Sequence, residues 1–166
     1  MTVTDGEAMI KYGQVGSPVG SRPEVGRQAL LRVLTAAGLA VDAYVHADLA
    51  SAYDPVRKSI SQGDLFRIEA GASALAALLI LLSAHRLVWA FAFIVAASGV
   101  GALLLYRYVN VGTLGPLPNM YEPIWFPKKT TATIAEAVAT VTALAGLAQA
   151  TLRQPRASRS PSLGHS

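Results

Sequence analysis

The sequence predicts an all-α fold: a four-helix transmembrane bundle running up-down-up-down, with an external loop rich in proline and aromatic residues. Three observations carry that expectation. Of 166 residues, 52% are hydrophobic and only 14% are charged, against roughly 25% charged in soluble domains. Mean hydropathy is +0.41. Four stretches reach the length of about 20 mostly apolar residues needed to cross a hydrocarbon core about 30 Å thick. With no cysteine, thiol redox centres, iron–sulfur ligation, zinc fingers and disulfide scaffolds are excluded.

The third span, residues 87–106 (LVWAFAFIVAASGVGALLLY), is uncharged throughout. The second, residues 65–84, reaches spanning length with Arg67 and Glu69 near one interface. The fourth, residues 129–152, holds one acid, Glu136, followed by a long uncharged run. The first, residues 28–49, is the weakest. Arg32 precedes its apolar run, and Asp42, His46 and Asp48 follow it. Charges at such depth cost several kcal/mol unless they face protein or water, so this helix is expected to depend on its neighbours. A cleaved signal peptide ending near Val45-His46-Ala47 is the alternative. An uncleaved span fits better, because the polar lead is long and Asp42 and His46 are unusual at a cleavage site.

Residues 1–26 and the basic stretch 153–166 read as flexible tails, on their Gly, Ser and Pro content. Eight lysines and arginines fall with the two tails and the His85-Arg86 turn, and six on the opposite side. The positive-inside bias therefore predicts a multi-pass cell-membrane protein with both termini cytoplasmic. The sequence pI of about 9.6 suits anionic lipid headgroups better than nucleic acid.

Small residues at four-residue spacing let helices approach closely in lipid. Ala135, Ala139 and Ala143 offer such a ridge on the fourth helix, Ala72 and Ala76 on the second, and Ala97 and Gly101 on the third. The loop RYVNVGTLGPLPNMYEPIWFPK carries four prolines with Tyr121, Glu122 and Trp125. Proline removes donors and fixes φ, so a semi-rigid cap on the outer end of the bundle is expected.

The ionisable residues inside the spans share a depth. Asp42 and His46 lie i, i+4 on one face. Glu69 shares a face with Ser73 and Ala76, and Glu136 with Ala139 and Thr140. Arg107 closes the third helix. At 1.5 Å per residue, Asp42 and Glu136 sit roughly 10 Å below their helix ends. Asp42, His46, Glu69, Arg107 and Glu136 are thus expected to meet inside the bundle, with Arg107 as counter-ion. Three uses suit such a cluster: neutral structural pairing, a proton or small-ligand site, or a metal site on Asp42, His46, Glu69 and Glu136.

Residues 41–50, 65–79 and 106–129 resemble a group of small actinobacterial integral membrane proteins without an assigned role. The four-helix layout is loosely similar to the DoxX-like proteins. The resemblance implies a membrane fold and supplies no functional residue. No phosphate loop, nucleophile elbow or HExxH motif is present. The leading expectation is therefore a non-enzymatic accessory or assembly subunit of the cell envelope, with no cofactor. Its expected partners are lipids, other membrane proteins or further copies of itself. The alternative is a transporter-like, proton-relay or metal- or ligand-binding protein that uses the buried cluster.

Overall fold

The computed structural model describes residues 22–152. The readings of residues 1–21 and 153–166 as tails lie outside that range. Four α-helices make up the described chain: α1 (Arg22–Ala50), α2 (Gln62–Leu82), α3 (Arg86–Tyr108) and α4 (Pro127–Leu152). All four are long and apolar enough to cross a membrane. Among the described residues there is no strand, and the only bridges are the isolated pairs Arg57–Ser61 and Leu114–Leu117.

Helix ends follow local chemistry. Helix α1 begins at Arg22, earlier than the expected residue 28. Proline in the first turn of a helix costs no intrahelical hydrogen bond, so Pro23 is compatible with this start. Ser61 caps α2: its Oγ accepts from Asp64 N at 2.9 Å, and the Asp64 side chain accepts from Ser61 N. At the other end of α2, Arg32 donates to the free carbonyls of Ile80 and Leu81. A cation at a helix C-terminus satisfies orphan acceptors and suits the dipole. His85 starts α3, its Nδ1 accepting from Leu87 N.

Each helix packs beside the next, and α4 returns beside α1. Contacts fix the directions. Along α1, Arg32 meets Ile80 and Asp42 meets Ser73. Thr35 of α1 donates to Thr142 of α4 at 2.8 Å, while Asp42 and Glu136 come together nearer the other end. Neighbours are therefore antiparallel, and the connections 51–61 and 109–126 share one end of the bundle. That end is called the loop end below, and the end holding His85 the turn end.

At the turn end the core is dry: Leu39, Ile80, Ala76, Trp89, Ala92 and Ala143 are wholly buried. Trp89 lies against Gly146, and a Cβ at Gly146 would collide with the indole ring. Leucines, isoleucines and valines such as Leu30, Ile68, Leu82, Ile94 and Val141 point outward, as lipid-facing residues do. The Ala135–Ala139–Ala143 ridge is buried, as are Ser73, Ala76 and Ala77. On α3 the ridge differs from the expected one. Ala92, Ala96 and Gly99 face inward, Ala97 is half-buried and Gly101 is exposed. The register is set by Trp89, which must enter the core opposite Gly146.

At the loop end the two connections hold each other. Ser59 N and Ile60 N both donate to Pro116 O at 3.2 Å. Tyr53 Oη donates to the Glu122 carboxylate, 2.9 Å from each oxygen. Glu122 N donates to Tyr106 O, and Lys129 Nζ donates to Glu122 O at 2.5 Å. Arg67 grips Asp54 with two hydrogen bonds of 2.7 and 2.8 Å and holds its carboxyl below the usual carboxylate range.

Candidate functional site

Four of the five residues expected to meet do come together. Asp42 and Glu136 are fully buried, at 1% and 0% exposure. Asp42 Oδ2 accepts from Ser73 Oγ at 2.6 Å. Asp42 Oδ1 lies 2.7 Å from His46 Nδ1, yet it has no aligned hydrogen bond. The same nitrogen lies 3.2 Å from the Asp42 carbonyl oxygen. The His46 ring packs edge-on against Phe66, with centroids 5.1 Å apart. Ser73 Oγ is also 3.5 Å from Glu69 Oε1. Glu136 enters from α4 and has no hydrogen-bond partner on either carboxylate oxygen. One potential ligand atom from each of Asp42, His46 and Glu136 lies within 4.8 Å of the others.

Gly99 makes room for this arrangement. A Cβ built there would lie 2.5 Å from Glu136 Oε1 and 3.1 Å from Glu69 Oε1. The two acids therefore occupy the space that a side chain on α3 would fill. Sequence reasoning missed both Gly99 and the Ser73 bond to Asp42. The available signal was that Ser73 lies i, i+4 from Glu69.

Arg107 does not join the cluster. Its guanidinium lies over the rings of Tyr108 and Trp125, at 5.0 and 5.5 Å, and no ion pair among the described residues includes it. It sits in the last turn of α3, about 12 Å of helix beyond Gly99, the position where α3 meets Glu69 and Glu136. The expected counter-ion is therefore not there, and His46 is the one basic group beside the acids.

Above the cluster, toward the loop end, lies a cavity of about 280 Å³. Its walls include Val45, Leu49, Phe66, Leu103 and Ala132. His46, Glu69 and Gly99 line the end nearest the cluster. Tyr53, Met120, Glu122, Phe126 and Lys129 line it toward the loops. Of the loop residues singled out from sequence, Glu122 lines this cavity. Trp125 stacks with Arg107 and Lys129 instead, and Tyr121 is exposed. Lys129, buried in the first turn of α4, was not foreseen, since its aliphatic stem is hidden and its ammonium is held by Glu122.

Comparison with protein-family models, curated protein sequences and solved structures gives no match to this chain. The chemistry of the site therefore has to be argued from its own atoms.

Proposed function

We propose that this chain is a multi-pass membrane protein that binds a small amphiphilic amine in the loop-end cavity. The amine head would meet Glu69 and the apolar body would fill the space enclosed by the four helices and the connection 109–126. One observation carries the reading: an apolar cavity of about 280 Å³ ends on the half-buried carboxylate of Glu69, whose nearest polar contact among the described residues is Ser73 Oγ at 3.5 Å. Small-ligand sites are typically apolar clefts with a few convergent polar groups. A buried acid facing such a cleft selects for a donor, preferably a cationic one. An accessory role, the first expectation from the sequence, asks nothing of a cavity or of an acid buried without a partner. The charge bias of the connections supports placing the cavity on the external side with both termini cytoplasmic. A reporter fused at the C-terminus is then active only in the cytoplasm.

The test is a titration of the chain in nanodiscs with phenethylamine and with phenylacetate, which match in size and differ in charge. Empty nanodiscs serve as the reference. The amine is expected to bind at least tenfold more tightly, or about 1.4 kcal/mol. Glu69→Gln should remove most of that preference while leaving the fold intact. Equal binding of the two probes, or saturable binding of neither, overturns the reading.

A further inference from the structure

The cavity ligand leaves one feature unused. Glu136 lies deeper than the cavity lining, wholly buried, with two oxygens and no donor for either. An acid stripped of water with no partner costs several kcal/mol. Among the described residues no basic side chain is placed against Glu136 to offset it: Arg107 stacks on Tyr108 and Trp125 at the loop end with its Nε unbonded, and His46 sits against Asp42. A proton shared between Glu136 and Asp42 would offset the cost, and so would a cation from outside the chain.

We infer that Asp42, His46 and Glu136 form a divalent metal site inside the bundle. Three features fit. The three residues come from two facing helices, α1 and α4, in the way bundle metal sites are built. Their ligand atoms lie within 4.8 Å of one another, so about an ångström of closure brings them to the 2.0–2.2 Å bond lengths of a zinc-like ion. Two carboxylates and a neutral imidazole balance a dication, and Glu69 stays outside this set, facing the cavity. Both oxygens of Glu136 lack a hydrogen-bond partner, and Asp42 Oδ1 has only the 2.7 Å approach of His46 Nδ1. Ser73 Oγ holds the other oxygen of Asp42, the outer support that metal-ligating carboxylates commonly have. One nitrogen and two or three oxygens, with no sulfur, suit Zn²⁺ or Mn²⁺ rather than Cu⁺. Of the three ligands, His46 also lines the cavity, whereas Asp42 and Glu136 lie behind it.

This inference stands apart from the amine reading and is tested without any amine. Chain treated with a chelator and then freed of it is titrated with Zn²⁺ and, separately, Mn²⁺. Bound metal is counted by elemental analysis and affinity by calorimetry. One ion per chain is expected, with Zn²⁺ tighter than Mn²⁺. Glu136→Gln and His46→Ala should each weaken binding by more than about 100-fold. Gly99→Ala, which crowds Glu136 without removing a ligand, should weaken it by about tenfold, in the range seen when outer support is lost. Helical circular dichroism in chelator should match wild type for Glu136→Gln, so a lost site is not a lost fold. Leu103→Trp, which fills the cavity, should abolish phenethylamine binding and leave a metal ion bound. Metal-free wild-type chain after loading, or undiminished uptake by Glu136→Gln, overturns the inference, whatever the amine probes show.

Discussion

The two ends of the bundle use the same materials to opposite effect. At the turn end, glycine and alanine remove side chains so that a large one can enter: Trp89 occupies the space left at Gly146. At the loop end, glycine removes a side chain so that charge can enter: Gly99 leaves room for Glu136 and Glu69. One half is closed by dispersion and fit, which hold membrane helices together. The other half brings Asp42, Glu69, Glu136 and His46 together beside a cavity of about 280 Å³. The same device, a missing side chain, thus serves close fit at one end and buried charge at the other.

Substitutions can break that contrast, beginning with the largest effect. Trp89→Ala should cost about 3–5 kcal/mol, as large-to-small changes in packed cores do, measured as reversible unfolding in mixed micelles. Leu103→Ala, beside existing space, should cost clearly less. Gly146→Val should cost about 1–3 kcal/mol by overpacking against the indole, while Gly71→Ala, with open space around it, should be neutral or slightly stabilising. At the polar end the sign should reverse. Glu136→Leu in the presence of chelator is expected to stabilise the chain by about 1–2 kcal/mol, since replacing buried charge by apolar volume is often favourable. A loss there comparable to that of Trp89→Ala would mean the acids hold the helices together.

The helices and the shared depth of Asp42, His46, Glu69 and Glu136 were legible in the sequence. Hydropathy over 20 residues and the i, i+4 rule need only local information. What escaped depends on which helix faces which. Arg107 is apolar-flanked in the sequence and looks like a natural partner for the acids, but its position in the last turn of α3 carries it to Tyr108 and Trp125. The inward face of α3 could not be read from Ala97 and Gly101, because the spacing of small residues is ambiguous until Trp89 picks a side. The cavity is a property of the space between helices, and no single segment encodes it.

The smallest expected effect lies in the connection 51–61. Arg67 holds Asp54 below the usual carboxylate range, so this contact contributes stability above the unfolded value of roughly pH 4 and loses it as the pH falls through the lowered folded value. The protection factor of the Gln62 amide, whose N–H donates to Val56 O, should therefore fall below about pH 4, and Arg67→Ala should show the lower protection already at neutral pH. An unchanged profile would assign the order of this connection to the Pro116 contacts instead.

The placement of the aromatic residues has a practical consequence. The chain has two tryptophans, and they divide between the two ends. Trp89 is sealed in the dry core with its Nε1 unbonded, while Trp125 lies partly exposed between Arg107 and Lys129. Their emission should separate into a blue component insensitive to added quencher and a red one that quencher reaches. Trp125→Phe and Trp89→Phe then give single-fluorophore chains. Each reports one end of the bundle, so events at the loop end can be followed optically and compared with the signal from the turn end.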